Sequence, residues 1–270
     1  MAQYQNYIYS FTGAKETNFT MIDLHCHLLP GVDDGSRNME QSLSLAQQAV
    51  ADGITHSVVT PHIHAGRYSN TRSSLEPVFL GFVAELAKAD INLKLSLGGE
   101  VRLGIEILQL LEENEIPMLG QMDGYRVMLL EFPHSHILPG ADKLVNFLLK
   151  KNIRPLIAHP ERNKDVMRSL DKIYPFVQAG CMLQVTAGSL CGNFGSIAEQ
   201  RAKQMLEKGW VTVLASDAHN EKHRPPKISE GRAVAEQIVG KQEADDLVFS
   251  MPQRILGQMP GCDAVPETFN

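Results

Sequence analysis

Short runs rich in β-branched and other apolar residues recur along this chain, and longer stretches of helical period separate them. That alternation restricts the fold more than any other feature, because it is the pattern of repeated β-α units. Seven strands are expected: MIDLHCH, ITHSVVT, LKLSLGG, RVMLLEF, RPLIAH, CMLQVT and WVTVLAS. Helices are expected at Met39 to Asp52, Leu75 to Ala89, Ile105 to Glu113, Ala141 to Lys151, Lys164 to Gln178 and Ile197 to Lys208, with Gly53, Gly180 and Gly209 as C-terminal caps. Proline and glycine fall mainly in the connections, and no repeat, low-complexity tract or Ser/Gly-rich linker marks a boundary. A single barrel-like α/β domain is the expectation, and 270 residues suit it. Residues 1–20 lack a clear period and precede a second methionine, Met21; they read as an appendage to a domain spanning 21–270.

Composition removes several classes of function. A formal net charge of −6 argues against a binder of nucleic-acid backbones, which needs a clustered basic surface. Cys26, Cys181, Cys191 and Cys262 show no C-x-x-C spacing and no signal peptide is recognised. Neither a disulfide framework nor a cysteine zinc site is expected, and the chain reads as cytoplasmic. No apolar run approaches the length of a membrane span, so no membrane insertion is expected.

Residues 21–35, MIDLHCHLLPGVDDG, set His25 and His27 one residue apart. Alternate side chains of an extended strand share a face, so the two imidazoles, joined by Asp23, make half of a metal site, with Leu24 and Cys26 on the opposite face. The same spacing occurs on exposed polar strands, and the rest of the chain decides. His62 follows the second strand, Glu100 the third, Glu131 the fourth, His159 the fifth, and Asp217 and His219 the seventh; the sixth has no obvious ligand. In closed parallel α/β folds the C-terminal strand ends surround one mouth, where residues remote in sequence meet. Burying such groups unpaired is expensive, and metal binding is the expectation. Imidazoles and carboxylates without thiolates suit Mn, Fe or Zn better than an oxygen-only Ca or Mg site. Two or three ions about 4 Å apart, with Glu100 as the bridge, would acidify a shared water and bind both oxygens of a phosphate ester.

Asp34 is read as a further ligand, although it and Asp33 compete for that role and for capping the turn at Gly35. Gly98 and Gly99 are expected to let the backbone approach ions closely beside Glu100. His56, in mid-strand, reads as a core or surface histidine, and His64, His134, His136 and His223 as exposed loop residues around the mouth. Arg162 in AHPERN and Arg224 in SDAHNEKHRPP lie just beyond ligand segments. Guanidinium matches phosphate bidentately and neutralises a transferring phosphoryl group, so both are candidate catalytic, phosphate-binding residues, with ordinary surface arginine as the alternative. The chain has no C-x5-R loop and no G-x-x-x-x-G-K-[ST], G-x-G-x-x-G or G-x-S-x-G motif, which weakens covalent cysteine and serine routes.

Taken in order, DLHCHLLPGVDDGS, TPHIH, GGE, LLEFP, AHPER and SDAHNEKHRPP resemble the PHP (polymerase and histidinol phosphatase) superfamily. More closely, they are similar to its manganese-dependent tyrosine-protein phosphatases of capsular and exopolysaccharide operons, the CpsB/YwqE type. The resemblance runs from residue 21 to about 230; HxH alone is unspecific, but HxH followed by VDDG, SDxHN and RPP is specific. It implies a distorted seven-stranded, TIM-like β/α barrel carrying three manganese ions, with Fe or Zn as substitutes. His25, His27, Glu100 and Asp217 would hold the first ion, Glu100, Glu131 and His159 the second, and Asp34, His62 and His219 the third, while Arg162 and Arg224 would contact phosphate. The implied substrate is phosphotyrosine on the tail of a bacterial tyrosine kinase controlling polysaccharide export. The implied reaction is in-line attack on phosphorus by a hydroxide generated at the metals, with no phosphoenzyme and with His64, His134 or His136 as candidate assistants. The alternatives are a small-molecule phosphatase such as one acting on histidinol phosphate, a PHP phosphodiesterase or nuclease, and a non-catalytic metal-stabilised binding module. The N-terminal extension and the HIH and PHSH loops depart from the family pattern.

Overall fold

The computed structural model of the chain describes residues 20–257. Apart from Thr20, the expected appendage lies outside the described residues, as does Cys262. In chain order the strands are β1 (Met21–Cys26), β2 (Ile54–Val59), β3 (His62–Ile63), β4 (Lys94–Leu97), β5 (Glu100–Arg102), β6 (Gly120–Met122), β7 (Tyr125–Glu131), β8 (Ile153–Ala158), β9 (Met182–Thr186) and β10 (Val211–Ala215). One parallel run is β1-β2-β4; the other is β10-β9-β8-β7-β5-β3, with β6 antiparallel on β7. Only Thr60 and Pro61 separate β2 from β3, and only Gly98 and Gly99 separate β4 from β5, so each pair is one stave with a kink. Gly98 N donates to Val59 O at 2.9 Å and Glu100 N to Pro61 O at 3.1 Å, carrying the pairing across both kinks. The ring closes where His27 N donates to Ala218 O and Asp217 N to His25 O, each at 2.8 Å. The seven expected strands are thus the seven staves of a β/α barrel.

Crossover helices cover the staves: α1 (Met39–Ala51), α2 (Arg72–Lys88), α3 (Ile107–Glu112), α4 (Ala141–Lys150), α5 (Lys164–Arg168), α6 (Tyr174–Gln178), α7 (Ala187–Leu190) and α8 (Ser196–Glu207). Asn38 starts α1 by accepting Gln41 N at 2.9 Å, and Thr71 with Ser74 forms a capping box on α2. Gly53, Gly180 and Gly209 follow the ends of α1, α6 and α8 with φ of +92°, +93° and +65°, the left-handed conformation that glycine adopts without a Cβ clash. Beyond the expected elements come α9 (Ser229–Val239), α10 (Lys241–Asp245), a π-helical turn at Asp246–Ser250 and α11 (Met251–Leu256). No helix among the described residues is long and apolar enough to cross a membrane.

Two apolar layers result. Ile22, Leu24, Val58, Leu129, Leu156 and Val213 belong to a cluster fed by every stave except β4–β5 and completed by Ile255 of α11, with Phe249 of the π-helical turn packed against it. A larger cluster lies between the staves and the helices. Filling both layers leaves the C-terminal strand ends as the place where polar side chains gather.

Three expectations need correction. The helix expected at Lys164 to Gln178 is broken into α5, a short 3-10 turn and α6, because Ser169 is extended at φ −148° and Pro175 has no N–H to give a continuing helix. Strict alternation fails in β1, whose register against β2 slips between Asp23 and Cys26. Leu24 stays with Ile22 in the inner cluster, but Cys26, expected on the same face, belongs to the outer one, and Asp23 accepts Ser216 N at 3.0 Å, Ser216 Oγ at 2.5 Å and His25 N at 3.2 Å instead of joining the imidazoles. Gly98 and Gly99 serve side-chain packing: a Cβ on Gly98 would lie 2.9 Å from Leu119 Cδ2, and one on Gly99 2.6 Å from Ile63 Cδ1.

Candidate metal centre

All nine expected ligands stand around the mouth. Donor atoms of His25, His27 and Glu100, of His25, His159 and Asp217, of His27, His62 and His219, and of His62, Glu100 and Glu131 each lie within 4.8 Å of one another. Asp34 falls outside those four groups but puts Oδ1 3.2 Å from His62 Nε2 and 3.8 Å from His219 Nε2. Glu100 is central: Oε1 is 2.8 Å from His159 Nε2 and 3.5 Å from His25 Nε2, while Oε2 is 2.8 Å from His62 Nδ1 and 3.3 Å from His27 Nε2. Pairing of β3 with β5 sets His62 opposite Glu100, and pairing of β5 with β7 sets Arg102 opposite Glu131. Two of the expected ligands, His159 and Asp217, stand at stave ends with positive φ of 34° and 51°, a strained backbone for side chains other than glycine.

The tautomers test whether these residues suit a cation. Gln184 Oε1 accepts His159 N at 3.3 Å and stands 2.8 Å from His25 Nδ1; Asp33 Oδ2 stands 2.7 Å from His27 Nδ1. Both oxygens only accept, so both Nδ1 atoms carry protons and both Nε2 atoms turn inward, 3.2 Å apart. Two bare lone pairs or two N–H groups repel at that distance, and an N–H···N bond between them requires one ring to carry a charge, whereas a positive ion satisfies both neutral rings. His219 Nδ1 likewise donates to Asp217 O at 3.0 Å, freeing its Nε2. Glu100 Oε2, Glu131 Oε2, Asp217 Oδ1 and His62 Nδ1 are buried without a hydrogen bond. Although Glu100 Oε2 faces His62 Nδ1 at 2.8 Å and Glu131 Oε2 faces Arg102 Nε at 2.9 Å, such a concentration of buried polar atoms without directed hydrogen bonds is costly unless a cation is bound. The cluster therefore fits metal binding.

Electrostatics mark the cluster as one that attracts positive charge: burial opposes charge on His25, His27 and His62, but the surrounding carboxylates outweigh it and raise all three, His62 to about 9. Burial opposes charge on Glu100, but His25 and His62 outweigh it and hold the carboxyl well below its usual range. Burial also opposes charge on Asp217, and Arg162, His25 and Arg224 reverse that. Glu131 goes the other way, pushed up to about 7 by burial and by the Glu100 carboxylate. His159 is held down to about 3 by burial and then by Arg162, and His219 to about 2 by burial and then by His27, so both stay neutral donors near neutral pH.

Arg162 and Arg224 both donate to Asp217 Oδ2, the oxygen turned away from the imidazoles. Asp217 thus faces the histidines with Oδ1, 3.3 Å from His25 Nε2, and the guanidiniums with Oδ2. Asn220 shapes the loop that brings Arg224 round, accepting the backbone N–H groups of Lys222, His223 and Arg224 at 3.3, 2.7 and 3.2 Å. Glu161 anchors the turn bearing Arg162 by accepting Thr186 N at 3.0 Å and Ser189 Oγ at 2.7 Å.

Several neighbours were not legible beforehand. Asp33, rather than Asp34, takes the turn role, accepting Gly35 N at 2.9 Å, and it orients His27 as well. Gln184 supplies the contribution of the sixth stave, as a partner of His25. Arg102 Nε lies 2.9 Å from Glu131 Oε2, the ring of Tyr68 stacks on His62 at 5.5 Å, and Phe194 lies against both Arg162 and Arg224. Of these, only strand alternation after Glu100 gave a signal, for Arg102. His56 stays outside the centre, 2.9 Å from Ser96 Oγ; His134, His136 and His223 are exposed and His64 half-buried. Cys26 is buried, with its thiol pushed well above the usual range, so it is no nucleophile.

Comparison with known proteins adds independent findings. A family model described as capsular polysaccharide synthesis, CpsB/CapC, matches residues 21–257. Tyrosine-protein phosphatase YwqE of Bacillus subtilis (strain 168) is 34% identical over 222 residues, covering 82% of this chain and 86% of that protein. Tyrosine-protein phosphatase CpsB of Streptococcus pneumoniae is 30% identical over 244 residues, covering 87% and 98%. A crystal structure from work on these two proteins, described there as unique metal-dependent tyrosine phosphatases, superposes with a TM-score of 0.81 at 33% identity, covering 87% of this chain and 94% of that one. Dihydropyrimidinase from Brevibacillus agri NCHU1002 shares the fold alone, with a TM-score of 0.55 at 12% identity over 89% of this chain and 71% of that one.

Proposed function

Since the chain belongs to the CpsB/CapC family of capsular polysaccharide synthesis, we propose that it is a metal-dependent protein-tyrosine phosphatase. The carrying observation is the placement of nine metal-capable side chains beside two arginines that share one oxygen of Asp217. In this reading the phosphatase domain spans 21–270 and works in the cytoplasm. His25, His27, Glu100 and Asp217 hold one manganese ion, Glu100, Glu131 and His159 a second, and Asp34, His62 and His219 a third. Divalent ions bound there supply an acidified water and neutralise phosphate oxygens.

The chain's own residues do the rest. Gln184 and Asp33 fix the tautomers of His25 and His27, so that each presents a lone pair. Arg162 and Arg224 bind the phosphate oxygens and balance charge in the transition state. Tyrosine leaves as a phenolate whose conjugate acid has a pKa of about 10, so a strong general acid is less necessary than for an alkyl ester. The substrate is phosphotyrosine on the tail of a bacterial tyrosine kinase tied to polysaccharide export; the names of the relatives support the phosphotyrosine and the family description the polysaccharide link.

The test is a substrate panel on purified protein, stripped of metal and reloaded with manganese, iron or zinc in turn. Aryl phosphate and phosphotyrosyl peptide should be hydrolysed, manganese should restore most activity, and His159→Ala should lose it. Full activity after thorough chelation, or preference for histidinol phosphate over the phosphotyrosyl peptide, would overturn the reading.

A further inference from the structure

Arg162 and Arg224 reach the mouth from different elements, the 3-10 turn Pro160–Arg162 after β8 and the loop after β10. Each donates to Asp217 Oδ2, and among the described residues neither guanidinium has another hydrogen-bond partner; both Nε atoms are buried and unpartnered. A guanidinium tied at one nitrogen can swing about that bond. Phe194 stands beside both: its ring centroid lies 4.6 Å from Cζ of Arg162 and 6.0 Å from Cζ of Arg224, within reach of cation–π attraction. The ring comes from the loop joining α7 to α8, a tight turn held by Asn193 N donating to Gly188 O and Gly195 N to Gly192 O, each at 3.0 Å. Gly192 and Gly195, with φ of +81° and +90°, bend the chain on either side of the half-buried aromatic.

We propose that Phe194 is a positioning residue for phosphate binding. Its ring fixes the planes of both guanidiniums, so that N–H groups not used by Asp217 face the phosphate together. The inference rests on the reading of Arg162 and Arg224 as phosphate-binding residues. An aliphatic residue of similar size fills the same space without attracting the cations, and tyrosine keeps the attraction.

Metal-loaded wild type, Phe194→Leu, Phe194→Met and Phe194→Tyr should be compared by calorimetric titration with inorganic phosphate, by KM and kcat on an aryl phosphate, and by metal content and Tm. The Leu and Met variants should bind phosphate roughly tenfold more weakly and raise KM by a similar factor, with metal content and Tm as in wild type. The Tyr variant should stay within about threefold of wild type. Unchanged phosphate binding in the Leu and Met variants, an equal loss in the Tyr variant, or a loss that tracks bound metal would each overturn the proposal. A wild-type protein that binds phosphate in a Phe194-dependent way yet hydrolyses no aryl phosphate would instead sink the phosphatase reading and leave this one standing.

Discussion

Asp33→Asn tests the centre at the atom that orients it. The Asp33 side chain, only 1% exposed, accepts three N–H groups: His27 Nδ1 at 2.7 Å and His62 N at 3.0 Å on Oδ2, and Gly35 N at 2.9 Å on Oδ1. Burial opposes its charge, but His27 outweighs it and holds the carboxyl down to about 2, so wild type carries a carboxylate at any working pH. Asparagine offers one acceptor where there were two. If its oxygen faces Gly35, its NH2 confronts His27 and His62, and His27 must move its proton to Nε2, the atom turned toward Glu100 and Asp217. If its oxygen faces His27, the Gly35 N–H is left without an acceptor. One orphaned donor costs about 1–3 kcal/mol, and loss of an orienting partner weakens metal affinity roughly 10–100-fold. Manganese titration of chelator-stripped protein reads the second effect, and thermal unfolding reads the first as a fall of about 2–12 °C. Metal affinity within about threefold of wild type, with Tm unchanged, would refute the tautomer argument.

Gly35→Ala should destabilise the fold by about 1–3 kcal/mol, as overpacking does, because its Cβ would lie 2.2 Å from His27 O; chemical denaturation checks this, and a neutral result would mean the DDG turn yields freely. His56 is held down to about 4 by burial and then by Lys94, away from the metal centre. Its folded pKa lies below its unfolded value, so the unfolded chain takes up the proton first: stability is undiminished above about pH 6.5 and falls as pH drops toward 4. The loss at pH 5 should be about 1–2 kcal/mol relative to pH 7.5, and His56→Gln should remove it from a urea series at both pH values.

Much of the barrel was legible because its buried staves are apolar runs of strand length, from MIDLHC to VTVLA, separated by connections that hold the turn residues. The gathering of most candidate ligands followed from topology, since strand ends at one mouth convert distant residues into neighbours. What escaped was set by contacts that no periodicity records. Gln184 looks like any polar residue until β9 is seen beside β8, and Phe194 lies in a loop whose path depends on two left-handed glycines. The register slip in β1 moved Asp23 because Ser216 offers it both a backbone and a side-chain donor, a long-range pairing that outweighs local alternation. Helices from Ser229 onward fall outside the β-α repeat, and α11 and the preceding turn serve the inner core.

Closure of the ring between β1 and the segment after β10 has a consequence for biosynthesis. The ribosome releases the HxH pair early and its Asp217 and His219 counterparts almost two hundred residues later. A nascent chain, a C-terminal truncation or a proteolytic nick that frees the last stave keeps two imidazoles but no Asp217 to join them. The groupings of His25 with Asp217 and of His27 with His219 therefore form only once β1 and the segment after β10 have met, late in the emergence of the chain.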